Sequence, residues 1–144
     1  MGSGSVTKQI SIKDSTLSSN RKKISPSRNT PEVILDPNGL IKLTGKLIPE
    51  NAEDFFKPIG EWTDEYLCDP ADTTIVEICL DYINSAGTKY LLHIMHQIAH
   101  IFLRENKKKL IINWYYYDED EDILEKGRLF SLELDVPFNF IKII

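Results

Sequence analysis

The sequence of 144 residues has few of the residues and motifs that build cross-linked, metal-bound or membrane-spanning proteins. Its two cysteines, Cys68 and Cys79, do not lie in a CxxC or other metal-like spacing. We therefore predict reduced thiols in a cytoplasmic protein. No apolar run approaches the roughly 20 residues of a membrane span, and no signal-peptide core is present. Motifs of nucleotide-binding loops, metalloproteases and nucleophilic hydrolases are also missing, which favours a protein that is not an enzyme and needs no cofactor.

Charge divides the chain into two parts. Residues 1–29 carry six Lys/Arg and one acid, a net +5, whereas residues 30–144 carry eleven Lys/Arg and 21 acids, a net −10. An acidic domain argues against nucleic acid as the main partner, because phosphate binding needs a basic face. The first 29 residues are rich in Ser, Thr and Lys and show no periodicity, so we predict a disordered basic tail over 1–29 and a single domain over 30–144.

The domain is predicted to open with a hairpin and a helix. Residues 33–35 and 40–43 are apolar runs around the turn Asp36-Pro37-Asn38-Gly39, which is a hairpin signal, and Gly45 is expected to end it. A helix should follow with Asn51 as its cap and Pro58 inside it. Its apolar positions recur at helical spacing and should face the core: Phe55, Ile59, Trp62 and Tyr66.

A strand, a tight corner and a long helix form the centre of the chain. Residues 73–82 are β-branched and apolar, as in a strand buried on both faces. The helix after them has an apolar stripe that we assign to the core: Leu91, Leu92, Met95, Ile98, Ala99, Phe102 and Leu103. His93, His96 and His100 fall opposite that stripe. We interpret them as a solvated face rather than a metal site, because no further ligand can be placed beside them.

The corner itself, residues 84–88, combines polar and small residues. Asn84 and Ser85 are both suited to cap the helix, since their side-chain oxygens accept backbone N–H bonds. Gly87 permits close approach of another segment. A hydroxyl here lies where the positive end of the helix dipole favours a phosphate.

The last third repeats the strand–helix alternation. Residues 110–115 predict a strand, and the five acids of residues 118–122 suit the first turn of a third helix while offering an acidic docking surface. Residues 136–141 should form a closing strand. The predicted order β-β-α-β-α-β-α-β is an α/β fold, with a mixed sheet of about five strands and crossover helices.

Three stretches of the chain together resemble a known family. They are TPEVILDPNGLIKLTGKLIPEN, the FFKPIGEW segment, and DYINSAGTK followed by NWYYYDEDEDILEKG. In order and spacing they are similar to the SiaC family of bacterial regulatory phosphoproteins, small STAS-like domains, over roughly residues 30–141.

The resemblance implies a partner-switching signalling protein rather than an enzyme. In such modules a Ser/Thr kinase phosphorylates a hydroxyl at the corner before the second helix, and a PP2C-type phosphatase removes the phosphate. The phosphorylation state selects the partner. The implied effector is a diguanylate cyclase, and thus control of cyclic-di-GMP and biofilm formation. Related anti-sigma factor antagonists bind an anti-sigma kinase instead.

The family pattern transfers to this sequence one residue at a time. Its modified hydroxyl, the second residue of Asn-Thr-Ser-Ser, falls on Ser85. The second Ser of the Asp-Ser-Ser-Gly antagonists aligns with Ala86, which cannot be phosphorylated. Ser85 is therefore the first candidate and Thr88 the second. The expected partner-binding segment comprises Asn84, Ser85, Ala86, Gly87, Thr88 and Lys89.

Three functional classes stay open at this point. They are a phosphoregulated interaction module, a constitutive binding domain and a small enzyme. An exposed Ser85 beside an apolar rim would favour the first. A deep polar pocket with strongly perturbed titrating groups would favour the enzyme.

Overall fold

The computed structural model describes residues 20–104 and 108–144, which form six strands and three helices. Their order along the chain is β1 Lys22–Ile24, β2 Glu32–Asp36, β3 Leu40–Leu47, α1 Ala52–Tyr66, β4 Thr73–Ile83, α2 Ser85–Arg104, β5 Lys109–Tyr117, α3 Glu121–Leu134 and β6 Asn139–Ile143. The α/β fold with crossover helices is confirmed. It contains one strand more at its start than the sequence predicted.

All strands join one sheet in chain order, β1-β2-β3-β4-β5-β6. The first three are antiparallel neighbours, and β3 to β6 run parallel. Each parallel step moves to the next strand in the same direction. Because such crossovers are right-handed, the three helices lie together on one face of the sheet.

Burial in the strands reflects this two-layer arrangement. Along β4 the buried residues alternate with half-buried ones, so only one face of the strand is covered by helices. The expectation of a strand buried on both faces is therefore wrong: helices cover one side of the sheet and the other is open. The helix-covered core contains Trp114, whose indole N–H donates to Ile123 O at 2.9 Å. Large side chains that share this core include Leu35, Leu43, Leu47, Ile59, Ile78, Met95, Ile98 and Ile112.

The predicted tail boundary at residue 29 is wrong. β1 pairs antiparallel with β2, with Lys23 opposite Ile34. Trp62 of α1 also donates its indole N–H to the carbonyl of Asn20 at 3.0 Å. Residues 20–29 are folded because they gain cross-strand hydrogen bonds, which composition alone does not reveal. The rest of the predicted tail, residues 1–19, lies outside the described residues.

The other elements agree with the sequence except at their edges and at two predicted core positions, Phe55 and Leu92, which are only half-buried. Asn51 caps α1 by accepting the Asp54 N–H at 3.1 Å. The second hairpin strand continues past Gly45 to Leu47, with a register shift after Gly45. On α2 the stripe is displaced: Ile94 is buried, whereas Leu103 is 59% exposed. No helix in the described part of the chain has the length and apolarity needed to cross a membrane.

Candidate functional site

The corner between β4 and α2 is fixed by the side chain and backbone of Asn84. Its Oδ1 accepts the Gly87 N–H at 2.7 Å, which is the hydrogen bond of a helix cap. Its carbonyl accepts the Thr88 N–H at 2.8 Å, and its own N–H donates to Leu47 O at 3.0 Å. Asn84 therefore caps α2 and ties the corner to the end of β3.

Ser85 is the first residue of α2 and is exposed. Among the residues that the structure describes, its hydroxyl makes no hydrogen bond, so the cap does not depend on it. Ala86 and Lys89 are exposed beside it. The corner thus offers solvent a hydroxyl at the positive end of a 20-residue helix.

Gly87 is buried and brings α2 against β3. A Cβ on this residue would lie 2.8 Å from both Cγ and O of Leu47, closer than real contacts allow. The close approach predicted from the glycine is confirmed. Its burial means that Gly87 supports the corner and does not present a surface to a partner.

Thr88, the second candidate for modification, has a different environment. It is half-buried, and its hydroxyl donates to Asn84 O at 2.8 Å. Lys126 of α3 donates to the Thr88 hydroxyl oxygen, with its Nζ at 3.4 Å. Of the two candidate hydroxyls, that of Ser85 is the accessible one.

An acidic groove with apolar edges borders the corner. It has a volume of about 470 Å³ between the end of β4 and α3. Tyr82 at its edge is 62% exposed and carries Lys46 Nζ 5.7 Å from its ring centroid. Its lining residues are Asp81, Tyr82, Ile83, Asp120, Asp122, Ile123, Glu125, Lys126 and Leu129. The acidic run therefore contributes both to a groove wall and to α3, where Asp120 caps the helix by accepting the Ile123 N–H at 3.1 Å.

The three histidines of α2 are exposed, as predicted. In the described part of the chain, no group of three or more His, Cys, Asp or Glu side chains is placed to hold a metal ion.

The chain matches a known protein family over most of its length. The model of the SiaC family regulatory phosphoproteins matches residues 24–143. The chain belongs to this family. Its fold is that of SiaC from Pseudomonas aeruginosa, which has been solved in complex with the diguanylate cyclase SiaD that it activates. SiaC from that complex superposes with a TM-score of 0.77 at 20% identity. The match covers 85% of this chain and 99% of that chain.

Two further relatives agree with the assignment. Apo-SiaC from Pseudomonas aeruginosa superposes with a TM-score of 0.74 at 20% identity, covering 85% of this chain and 98% of that one. An uncharacterized protein of Pseudomonas aeruginosa strain UCBPP-PA14 is 22% identical over 113 residues, which is 78% of this chain and 88% of the relative. The chain is thus a member of a regulatory protein family.

The open face of the sheet of this SiaC-family protein carries a polar network that sequence reasoning missed. Glu77 accepts hydrogen bonds from Asn113 Nδ2 at 2.7 Å and from the Tyr115 hydroxyl at 3.1 Å. Asn139 Nδ2 donates to Asn113 Oδ1 at 3.0 Å. Strand register brings Glu77, Asn113 and Asn139 together, because they are successive partners across β4, β5 and β6. A correct prediction of that register would have identified them.

Two titrating groups on this face, the Tyr115 hydroxyl and the Cys79 thiol, have raised pKa values. Burial raises the pKa of the Tyr115 hydroxyl, and the charge of Glu77 raises it further. Burial likewise raises the pKa of the Cys79 thiol, and Asp81 adds to that rise. Both groups are held in their neutral forms, so Cys79 has the character of a structural rather than a reactive cysteine.

Proposed function

We propose that this protein is a bacterial partner-switching regulator in which phosphorylation of Ser85 controls binding to an effector protein. The effector we propose is a diguanylate cyclase, so that the output is cyclic-di-GMP and biofilm formation. A Ser/Thr kinase adds the phosphate and a PP2C-type phosphatase removes it. We place this switching in the cytoplasm, where two unpaired thiols, Cys68 and Cys79, stay reduced.

The division of roles between Asn84 and Ser85 is the observation that carries the proposal. Because Asn84 provides the cap, the exposed Ser85 hydroxyl is not needed to hold the helix. A phosphate at this position gains from the helix dipole and from nearby backbone N–H groups, so the fold tolerates it. The exposed aromatic ring of Tyr82 and the groove beside it supply a surface on which a partner can pack.

The phosphate changes partner binding through its charge and its hydration. It brings about −1.5 to −2 charges to the corner. A partner that packs over the corner must then desolvate a dianion, which costs free energy unless a basic group meets it. SiaC, whose fold this protein shares, activates the diguanylate cyclase SiaD in its complex, and that fact supports the choice of effector.

The test compares the unmodified protein with protein that carries phosphoserine at position 85, introduced during translation. Each is used as bait, bound proteins are identified by mass spectrometry, and affinities are then measured with the purified effector. We expect the unmodified form to bind a diguanylate cyclase and raise its cyclic-di-GMP production. Phosphoserine should weaken this binding by at least about tenfold.

Three variants complete the design. Ser85→Ala should keep the effector and resist the kinase, and Ser85→Asp should weaken binding without unfolding the domain. Thr88→Ala is the matched control and should still switch. Equal affinity of the phosphorylated and unmodified forms for every partner would show that Ser85 is not a regulatory site.

A further inference from the structure

Lys126 of α3 reaches across to the first turn of α2. Its Nζ lies 3.4 Å from the hydroxyl oxygen of Thr88, and that hydroxyl in turn donates to Asn84 O at 2.8 Å. The side chain of Lys126 is half-buried, and the residue lies 38 positions from Thr88 along the chain. The packing of α3 beside α2 therefore brings a cation to the corner that carries Ser85.

The charge of Lys126 is not taken up by the carboxylates around it. Lys126 lines the β4–α3 groove, and it is the only cation among the lining residues. The groove has four acids: Asp81, Asp120, Asp122 and Glu125. Among the residues that the structure describes, Lys126 forms no ion pair, whereas Glu125 pairs with Arg128 at 3.5 Å. In this part of the chain its hydrogen-bond partner is a neutral hydroxyl.

Ser85 and Thr88 are neighbours on the surface of α2. Residues three positions apart in a helix have about 5–6 Å between their Cβ atoms. A phosphate on the exposed Ser85 hydroxyl lengthens that side chain and adds three acceptor oxygens. Lys126 Nζ already lies beside Thr88, and the lysine side chain is flexible, so its ammonium group can meet these oxygens.

We propose that Lys126 binds the phosphate of modified Ser85 and thereby couples the switch to α3. The proposal rests on the proposed phosphorylation of Ser85 and names the residue that receives its charge. A charge-assisted hydrogen bond from an ammonium group to a phosphate is stronger than the present bond to a neutral hydroxyl. When Lys126 pairs with the phosphate, the carboxylates of the β4–α3 groove lose the only cation in that lining. Phosphorylation then changes the charge of the groove as well as that of the corner.

Lys89 is a second cation near Ser85 and provides the matched control. It lies four residues after Ser85 on the same helix, a spacing at which side chains meet. Lys89 is exposed, so solvent screens its attraction to a phosphate and the ordering of its long side chain costs entropy. Lys126 is half-buried, so its attraction is screened less. The phosphate should therefore respond more strongly to the loss of Lys126 than to the loss of Lys89.

The test uses the full-length protein with phosphoserine introduced at position 85 during translation. It is prepared without further change and with Lys126→Gln, Lys126→Arg or Lys89→Gln. Phosphorus NMR follows the second ionisation of the phosphate as the pH is changed. A nearby cation favours the dianion, so Lys126→Gln should move this ionisation to higher pH by about one unit, and Lys89→Gln should move it clearly less. Lys126→Arg keeps the charge and should restore the original ionisation.

Two features of the design isolate the effect of Lys126. The groove carboxylates act on the phosphate in the opposite direction, but they are present in every variant, so they cancel in the comparison. Lys126→Gln keeps a side-chain amide that can donate to the Thr88 hydroxyl, and circular dichroism of the unmodified variants checks their folding. As a second readout, phosphorylation should lower the melting temperature more in Lys126→Gln than in the chain with Lys126, because the phosphate lacks its partner.

The outcomes separate this proposal from the switch. If Lys126→Gln leaves the phosphate ionisation unchanged, or shifts it no more than Lys89→Gln does, Lys126 does not bind the phosphate, even where phosphorylation still changes effector binding. If Lys126→Gln shifts the ionisation but phosphoserine at position 85 leaves the affinity for every partner unchanged, the pairing of Lys126 with the phosphate stands and the switch is overturned.

Discussion

Asn84 and Ser85 are neighbours in the chain with different surroundings at the start of α2. Asn84 Oδ1 accepts a helix N–H at 2.7 Å, whereas Ser85 is exposed. We therefore expect Asn84→Ala to lower the free energy of unfolding by about 1 kcal/mol, because an orphan N–H loses its partner. Ser85→Ala should change it by less than about 0.5 kcal/mol, as at an ordinary surface position. Urea unfolding measures both; a larger loss for Ser85→Ala would identify Ser85 as the structural cap.

At this scale the sequence predicted the location of the candidate site but not its division of roles. Both Asn and Ser are good capping residues, so composition could not decide between Asn84 and Ser85. Thr88 also could not be ranked without the hydrogen bond to Asn84 O and the approach of Lys126, which lies 38 positions away along the chain. The Lys126 contact is made only when α3 packs beside α2.

One face of the helix α2 packs in the core, and the opposite face is exposed to solvent. Ile98 is 1% exposed and lies in the core, whereas Leu103 is 59% exposed at the end of the helix. Ile98→Ala should lower the free energy of unfolding by about 2–5 kcal/mol through lost burial and a cavity. Leu103→Ala should lower it by less than about 0.5 kcal/mol. Denaturant titration checks this pair; equal losses would mean that the helix buries a different face.

Helices and strands could be predicted where the spacing of apolar residues and the turn or capping residues pointed to the same element. The hairpin around Gly39, the Asn51 cap and the acidic start of α3 carry local signals, and each is present. β1 carries none, since Lys22 and Lys23 are exposed and the strand exists through its pairing with β2. The error at Leu103 has a similar origin, because periodicity sets a face but not the point at which the helix leaves the core.

The whole molecule is a two-layer structure whose faces have different chemistry. Helices cover one side of the sheet, and the Glu77 network occupies the other. The corner with Ser85 and the acidic β4–α3 groove both belong to the helix-bearing side or its edge. A modification at Ser85 is therefore placed to affect partners that dock on the helices, while the Glu77 face stays unchanged.

The first strand, β1, should contribute measurably to the stability of the whole molecule. Removing residues 1–29 deletes β1, exposes the edge of β2 and takes away the Asn20 carbonyl that accepts the Trp62 N–H at 3.0 Å. We expect a loss of about 1–2 kcal/mol and a melting temperature several degrees lower. Removing only residues 1–19, which have few large apolar side chains, should leave the melting temperature nearly unchanged. Calorimetry of the two truncations beside the full chain measures the contribution of residues 20–29 to stability. The Trp62→Phe variant isolates the contribution of the single hydrogen bond to Asn20. If both truncations melt with the full chain, β1 contributes nothing to stability and the fold begins at β2.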